Sequence, residues 1–548
     1  MKDFATLLDG LTFEPSRNGK LRLMADYFRT TPDPERGWAL AALTSSLSFR
    51  QAKPALIRTL VLERVDPVLF GLSRDYVGDL SETPALIWPA RPPTHDPATN
   101  EPPLHLSDVV ETLAAGGRVN LLPILAGWLD SLDETGRWAL LKLVTGALRV
   151  GVSARLAKTA VAQLGNVTPD DVEQVWHGLK PPYRDLFAWI EGVGEKPLST
   201  NPAPFRPPML AHPLEETDFP KLDARDFSAE WKWDGIRLQA AAGPTPDGTV
   251  LKLYSRTGEE VTGAFPDLAD ALAAIGGDGF AIDGELLVMH GRDVRPFAEL
   301  QQRLNRKTVS AKHIAQFPAH LRAYDLLARA GEDLRTLPFQ ERRRRLETFV
   351  EEARCARLDL SPLLPFETWE QLAGFRANPE SAGAEANAVE GVMLKRRDSL
   401  YVAGRPTGPW WKWKRDPYTV DAVMMYAQRG SGKRSSFYSD YTFGCWKGDG
   451  ENEELVPVGK AYFGFTDEEL AQLDRYVRHH TRERFGPVRV VEHGKDTGLV
   501  LEIAFEGLNR STRHKSGVAM RFPRVARIRW DKPPAEADRI EVLEKLLP

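Results

Sequence analysis

The sequence predicts a multidomain protein in which an all-α domain, an α+β domain and an all-β domain follow one another along the chain. A length of 548 residues corresponds to about three or four domains of ordinary size. Apolar residues recur at helical spacing in the first part of the chain, a proline-rich segment follows, and short strand-like runs fill the remainder. We place the three domains at residues 1–200, 201–415 and 416–548.

The all-α domain is predicted from periodicity and from helix start signals. Apolar residues between Ala139 and Leu148 recur at the spacing of one helix face. Ser153 has the position of an N-cap, and Thr168-Pro169 followed by two aspartates is a second start signal, because acids favour the positive end of the helix dipole. The proline-rich stretch from Pro84 to Pro103 is predicted to be a long surface loop.

The other two domains are predicted from a change in composition. Prolines stiffen residues 196–213, which suits a linker between domains. Beyond this linker, Thr249–Ser255, Phe280–Val288 and Val389–Lys395 have the length and composition of strands. Further strand-like runs follow Asp416-Pro417, which predicts a smaller β domain after the α+β domain.

The overall composition excludes several classes of protein. Hydrophobic residues make up 42% and charged residues 27% of the chain, which is typical of a globular protein rather than a collagen or a disordered chain. With two cysteines, Cys355 and Cys445, a disulfide framework is excluded. No apolar run reaches the length of a membrane helix, so we expect no membrane segment and a reducing, cytoplasmic location.

A basic segment near the end of the sequence is the main local departure from a balanced charge. The net charge of the chain is −4, yet Asp531 is the sole acid among eight basic residues between positions 510 and 532. Such a segment can bind a polyanion, and the alternative is a solvated basic surface. The eight are Arg510, Arg513, Lys515, Arg521, Arg524, Arg527, Arg529 and Lys532.

The segment from Glu230 to Arg237 carries the first pattern that indicates chemistry. Alternate side chains of a strand share a face, so Glu230, Lys232 and Asp234 point one way while the intervening tryptophans can pack into a core. Gly235 permits a turn or the close approach of a ligand. The alternative is a half-buried strand with a charged outer face.

The same pattern recurs downstream. Acids and lysines embedded in apolar strands need partners, because an isolated buried charge is costly. A metal-bound polyphosphate would supply them: carboxylates hold the hard cation and lysines neutralise the phosphates. The alternative is a set of structural ion pairs. The recurring residues are Asp283 with Glu285, Glu390 with Lys395, and Lys412 with Lys414.

These segments, in this order, resemble the ATP-dependent DNA ligases of the covalent nucleotidyltransferase superfamily. The collinear set is far more specific than any one of its members, and Tyr324 stands where many family members have phenylalanine. The matching segments are Lys232-Trp233-Asp234-Gly235-Ile236-Arg237, Ser255-Arg256, Asp283-Gly284-Glu285, Tyr324-Asp325, Glu390 to Lys395, Tyr401 to Arg405, Lys412 with Lys414, and Arg521 to Lys532.

The resemblance implies a fold and a reaction. It implies a helical DNA-binding domain, an α+β nucleotidyltransferase domain (an ATP-grasp-like adenylation domain) and a β-barrel of the OB type. The expected reaction seals nicks in double-stranded DNA: Lys232 takes AMP from ATP, AMP passes to the 5′-phosphate, and the 3′-hydroxyl displaces it. The implied cofactors are ATP as cosubstrate and Mg²⁺ or Mn²⁺, and we expect a monomer without membrane partners.

The resemblance also implies roles for individual residues around the nucleotide base. Lys232 is the expected catalytic nucleophile. Glu230 is expected to contact the adenine edge, while Tyr324 and Met393 stack on the two faces of the base.

Further roles concern the phosphates, the metal and the leaving group. The side chains expected to bind sugar or phosphate are Arg237, Arg256, Arg405, Lys412 and Lys414. Glu285 and Glu390 are expected to contact ribose or coordinate the metal. Arg529 and Lys532 are expected to orient the departing pyrophosphate.

Other functions and other motifs compete with this interpretation. An RNA ligase or an mRNA-capping-type guanylyltransferase shares the lysine motif, and a catalytically inert DNA-binding scaffold is a further alternative.

Gly430-Ser431-Gly432-Lys433 lacks the spacing of a phosphate loop and is predicted to be a mobile basic loop. Arg342 to Arg345 are predicted to lie on a solvated helix.

Overall fold

The computed structural model covers most of the chain. Ser431-Gly432-Lys433, Arg513 and most of the stretch from Pro84 to Pro103 lie outside the residues that it describes. The described residues are 1–47, 49, 54–77, 79–89, 103–115, 120–146, 148–176, 178–197, 201–304, 306, 309–384, 388–430, 436–512 and 514–547.

The described elements before residue 197 are helices. The predicted apolar face lies on α9, and Ser153 caps α10 by accepting a hydrogen bond from the Leu156 amide at 3.2 Å. Helix α11 begins at Pro169, at the predicted start signal. The helices are α1 (Lys2–Phe13), α2 (Arg17–Thr30), α3 (Glu35–Leu43), α4 (Pro54–Leu62), α5 (Pro67–Val77), α6 (Glu82–Ile87), α7 (Leu106–Ala115), α8 (Leu121–Ser131), α9 (Glu134–Thr145), α10 (Ala154–Ala162), α11 (Pro169–Trp176) and α12 (Arg184–Ile190).

Residues 197–416 contain both strands and helices, as the predicted α+β domain requires. The three strand ranges predicted from sequence are confirmed within two residues as β4, β5 and β11. The strands are β1 (His212–Pro213), β2 (Phe227–Trp233), β3 (Ile236–Thr245), β4 (Gly248–Ser255), β5 (Phe280–His290), β6 (Asp293–Val294), β7 (Ala319–Arg329), β8 (Glu332–Asp333), β9 (Leu358–Leu360), β10 (Leu363–Leu364), β11 (Val389–Arg396) and β12 (Trp410–Lys414). The helices are α13 (Pro266–Ala273), α14 (Phe297–Gln301), α15 (Ala311–Gln316), α16 (Phe339–Ala353) and α17 (Trp369–Ala377).

These strands form one sheet in the order β1-β12-β11-β2-β10 and another that contains β4-β3-β5-β7-β8. Strand β2 shows why the first sheet carries charges at its surface. Trp231 and Trp233 are buried in an apolar cluster beneath the sheet, while Lys232 between them is only partly buried. Alternation along the strand therefore separates the packing side chains from the charged ones.

Helix α16 corrects one expectation from the sequence. Arg342 is fully buried and forms a two-point ion pair with Asp325 of β7, at 2.8 and 2.9 Å. Arg343 is also buried, whereas Arg344 is exposed. The prediction of a solvated arginine run is therefore wrong for its first two members, because a helix packed on a sheet turns one face inward.

The chain from Pro417 onward is rich in strands. Most of them share a sheet with the order β15-β14-β13-β17-β16, in which β18 pairs with both β13 and β21. The strands are β13 (Tyr418–Arg429), β14 (Tyr438–Lys447), β15 (Glu454–Ala461), β16 (Thr481–Phe485), β17 (Val488–Val491), β18 (Val500–Phe505), β19 (Gly507–Arg510), β20 (Val518–Arg521) and β21 (Arg524–Arg529). The accompanying helices are α18 (Asp467–His479) and α19 (Ile540–Glu544).

The described chain divides into two compact units. The first comprises Met1–Pro169, Lys180–Lys196 and Pro417–Pro548, and the second comprises Asp170–Leu179 and Pro197–Asp416. Most of α11 thus belongs to the same unit as the two sheets described above, one of which carries Lys232 on β2. The three predicted domain ranges differ from this division and stay a prediction.

In the described part of the chain, no helix combines the length and the apolar composition needed to cross a membrane.

Candidate active site

Three neighbouring strands bring the predicted lysines and acids together. In the register of β2, β11 and β12, Lys232 is opposite Gly391, which is opposite Lys414. Two residues away, Glu230, Met393 and Lys412 form a parallel row. Since directly opposed residues of antiparallel strands share a face, both rows contribute to one surface of the sheet.

Gly391 permits the close approach of β11 and β12. Its φ of +142° lies in the region that favours glycine. A Cβ atom there would meet the Trp413 carbonyl oxygen at 2.3 Å and the Lys414 Cα at 2.7 Å. A side chain at this position would therefore push β12, with its two lysines, away from β11.

Lys232 is paired directly with an acid. Its Nζ donates a hydrogen bond to Oε2 of Glu390, and Lys414 Nζ lies 3.8 Å from the same oxygen. The Lys232 side chain is 23% exposed, so a ligand can reach the amine. The structure thus brings together the predicted nucleophile, one predicted metal ligand and one predicted phosphate ligand.

A cluster of positive charges surrounds Lys412. Burial lowers the pKa of Lys412, and the charges of Arg405, Lys414, Lys232 and Arg256 lower it further. The five cations are therefore close enough to repel one another, and such a set is stabilised when a polyanion binds among them. This cluster contains four of the five side chains predicted to bind sugar or phosphate.

Glu285 is an acid of the site whose pKa is strongly raised. Burial raises the pKa of its carboxyl to about 8; the charges of Lys232 and Arg237 oppose this rise, and those of Glu390 and Asp234 add to it. The carboxyl groups of Glu285 and Glu390 are therefore near neighbours, and a shared cation would relieve their repulsion.

The raised pKa of Glu285 predicts a pH-dependent difference between the wild type and Glu285→Gln. Between pH 4.5 and 8 the folded state binds more protons than the unfolded state, so the free energy of unfolding falls as the pH rises through this range. Glu285→Gln removes this contribution and should be more stable than the wild type at pH 8 by about 1–3 kcal/mol. Denaturant unfolding at both pH values, without nucleotide or divalent ion, measures the difference.

The exposed Glu351→Gln is a matched control on α16. The explanation is wrong if the wild type and Glu285→Gln lose stability in parallel between pH 4.5 and 8.

Glu230 is almost completely buried and forms an ion pair with Lys395. Its side chain is 2% exposed and contacts the ammonium group of Lys395, which is also 2% exposed. Arg343 Nη1 lies 4.0 Å from the other carboxylate oxygen. Lys395 was expected among the lysines that neutralise phosphates, whereas it pairs with Glu230, a contact that depends on the register of β2 and β11.

Arg237 is held by protein groups. Nη1 donates to the Met209 carbonyl at 2.6 Å, and Nη2 donates to Asp283 at 2.6 Å and to the Tyr401 hydroxyl at 3.0 Å. Tyr401 also donates to Asp283, a residue that is 1% exposed. This network ties β3 to β5 and to the segment before β12, and it leaves Nε of Arg237 without a hydrogen-bond partner among the described residues.

Tyr324 and Met393 are both partly buried. The Lys395 Nζ lies 4.3 Å from the centroid of the Tyr324 ring, while Met393 packs against an apolar cluster that includes Trp410. Their expected stacking on a base stays a prediction.

The predicted leaving-group residues share one acid. Arg529 Nη1 and Lys532 Nζ lie 2.9 and 2.8 Å from Oδ2 of Asp421, at the start of β13. Arg529 also pairs with Asp531 at 2.9 Å. Asp421 thus holds both cations side by side, a contact that the sequence pattern does not reveal.

Family models and a curated relative identify the chain. The model described as ATP dependent DNA ligase domain matches residues 208–414, and that described as ATP dependent DNA ligase C terminal region matches residues 434–532. A probable DNA ligase of Koribacter versatilis (strain Ellin345) is 33% identical over 429 residues, or 74% of this chain and 71% of the relative. The chain belongs to the ATP-dependent DNA ligase family.

Other similarities extend over nearly the whole ligase. DNA ligase 1 of Korarchaeum cryptofilum (strain OPF8) is 28% identical over 558 residues, covering 100% of this chain and 98% of the relative. The solved structure described as Pmar-Lig_PreS3 covers 96% of the chain and 99% of its own, with a TM-score of 0.57 and 15% identity, which indicates a shared fold. The ligase is an enzyme that forms phosphodiester bonds in DNA with ATP as cosubstrate.

The carboxylates of the ligase site suit a magnesium ion bound with its nucleotide. Among the residues that the structure describes, no group of three or more histidine, cysteine, aspartate or glutamate side chains is arranged to hold a metal. Mg²⁺ is commonly bound by one or two carboxylates together with substrate phosphates. Glu285 and Glu390, which repel one another beside a cation cluster, fit that mode.

Proposed function

We propose that this ligase seals nicks in duplex DNA through an AMP group carried on Lys232 Nζ. The observation that carries this assignment is the position of Lys232, between the Glu390 carboxylate and the cation cluster around Lys412. A nucleophile needs an acceptor for its proton and a binding site for its substrate, and both adjoin this amine.

In the first step, the bond from Lys232 Nζ to the α-phosphorus forms and the bond from that phosphorus to pyrophosphate breaks. The proton that Nζ must lose lies in its hydrogen bond to Glu390. Arg256, Arg405, Lys412 and Lys414 neutralise the triphosphate. Positioning and charge neutralisation supply most of the catalysis in such in-line displacements.

The metal site is proposed at Glu285 and Glu390. A Mg²⁺ or Mn²⁺ ion bound there would supply positive charge that stabilises the phosphate oxygens. Glu285 has a raised pKa in the protein alone, so the residue is expected to release a proton when a cation and nucleotide bind.

The later steps transfer AMP to DNA and then remove it. A 5′-phosphate oxygen attacks the AMP phosphorus as the bond to Lys232 breaks. The 3′-hydroxyl then attacks the 5′-phosphate, which forms the phosphodiester bond and releases AMP. The cation cluster serves each step, because every step is a displacement at phosphorus in which the phosphate oxygens carry negative charge.

The domain assignment is part of this proposal. Residues 1–200 form the helical DNA-binding domain, residues 201–415 the adenylation domain and residues 416–548 an OB-type barrel. The helices before residue 197, the family matches at 208–414 and 434–532, and the separate apolar core of β13 to β21 support these ranges. Such a protein acts as a monomer on the DNA backbone, so binding weakens with salt.

A nick-sealing assay on duplex DNA tests the proposal. ATP, GTP and NAD are each supplied with Mg²⁺ and with Mn²⁺, and ligated product is quantified on a denaturing gel. Sealing is expected with ATP and a divalent ion, together with an AMP adduct on the peptide that contains Lys232. Sealing with GTP alone, or an adduct on another residue, would contradict the assignment.

A further inference from the structure

A buried ion pair includes Glu230, the residue proposed to contact the adenine edge. Glu230 on β2 and Lys395 on β11 are each 2% exposed, and the ammonium group of Lys395 contacts Oε1 of Glu230. The Lys395 Nζ also lies 4.3 Å from the ring centroid of Tyr324 and 4.5 Å from that of Trp410. The pair is thus enclosed between the two sheets of the compact unit that contains Lys232.

The two charges depend on each other. Burial lowers the pKa of Lys395, and the negative charges of Glu230 and Asp325 oppose that effect. Removal of Lys395 would leave the buried Glu230 with Arg343 Nη1, 4.0 Å from its Oε2, and removal of Glu230 would leave Lys395 with the charge of Asp325, so either change raises the cost of the charge that remains.

Glu230 also retains hydrogen-bonding capacity. Oε1 faces the Lys395 ammonium, whereas Oε2 accepts no hydrogen bond from the residues that the structure describes and has Arg343 Nη1 4.0 Å away. An ionised carboxylate can only accept hydrogen bonds, whereas a protonated carboxyl or an amide can also donate one. As a carboxylate, Glu230 can therefore bind only a hydrogen-bond donor of a nucleobase.

Building on the proposed contact between Glu230 and the base, we propose that Lys395 is the positioning residue that sets the preference for adenine over guanine. Lys395 holds Glu230 as an acceptor. Adenine presents an amino group at C6, which donates to a carboxylate, while guanine presents a carbonyl oxygen there, which the carboxylate repels. Without Lys395, Oε1 loses the ammonium group that fixes it as an acceptor for the adenine amino group, and the discrimination weakens.

The experiment measures transfer of radiolabelled nucleotide to the full-length protein from ATP and from GTP, each with Mg²⁺. Lys395→Met should lower the ratio of ATP to GTP labelling by about tenfold or more, whereas Lys395→Arg should restore most of it. Glu230→Gln should lower the ratio in the same direction. Lys142→Met is the matched control, since Lys142 is a buried lysine paired with Asp79 at 2.7 Å outside this site.

A double variant tests the inference even if the single variant Lys395→Met fails to fold. Glu230→Gln with Lys395→Met removes both charges, so no uncompensated charge remains, and this protein should fold and show the reduced ratio. Circular dichroism and thermal melting verify the fold of every variant. A merely structural role for Lys395 would change stability, as Lys142→Met does, and leave the ratio unaltered.

The outcomes separate this inference from the function on which it rests. If Glu230→Gln changes the ratio and folded Lys395→Met does not, the role of Lys395 is refuted while the base contact stands. If Glu230→Gln leaves the ratio unchanged, the base contact and the inference both fail. A wild type that takes no label from ATP would overturn the proposed function itself.

Discussion

Replacing Lys232 with alanine should abolish formation of the enzyme–AMP adduct, reducing it by at least about 10⁴-fold, because the nucleophile of a covalent step has no substitute in the site. The Glu390 carboxylate would remain beside a vacant position but could not carry AMP. Labelling with radioactive ATP and mass spectrometry of the peptide that contains residue 232 measure the effect.

Lys252→Ala provides the matched control. Lys252 is also strand-borne, ion-paired at 3.2 Å with Glu260 and 27% exposed, so its removal imposes a similar structural change without touching the proposed nucleophile. Folded Lys232→Ala should still seal a nick that already carries AMP, since the last step needs no lysyl adduct. AMP labelling that persists in this variant would place the nucleophile elsewhere.

Replacing Lys532 with alanine should reduce self-adenylylation by about 100-fold and impair the sealing of pre-adenylated nicks much less. Lys532 and Arg529 are held side by side by Asp421, which presents two cations suited to a departing pyrophosphate. The two steps are measured separately, with labelled ATP for the first and a pre-adenylated nick for the last. Removal of residues from Asp416 onward should have an effect at least as large on the first step.

Lys515→Ala is the control for the basic segment as a whole. Lys515 is 64% exposed and paired with Glu454 at 2.6 Å. It carries the same charge as Lys532 but no predicted role with pyrophosphate. Equal losses in both steps, or equal losses in both variants, would show that the segment contributes only general attraction to nucleic acid.

The sequence predicted those features of the fold that depend on local pattern. Strands β4, β5 and β11 matched their predicted ranges within two residues, because strand length, composition and bounding turns depend on consecutive residues. The Ser153 cap was predictable for the same reason. The grouping of Lys232 with Glu390 and Lys414 followed from the collinear motifs, whose chemistry requires a shared site.

Contacts between distant segments could not be predicted in this way. The pairing of Glu230 with Lys395 depends on the register of two strands separated by about 160 residues, and a shift of one residue would turn Lys395 to the other face. Arg342 resembles its exposed neighbours in sequence, and only the packing of α16 on β7 shows that it meets Asp325. Asp421 likewise stands far from Arg529 along the chain.

The close approach of β12 to Gly391 separates the spacing of strands β11 and β12 from the chemistry of the side chains on β12. Because main-chain atoms of Trp413 and Lys414 lie against Gly391, we expect changes in the charge and length of the side chains at 412 and 414 to leave the gap between β11 and β12 unchanged. Variants with altered nucleotide chemistry can therefore be designed by substituting residues 412 and 414 while Gly391 is retained.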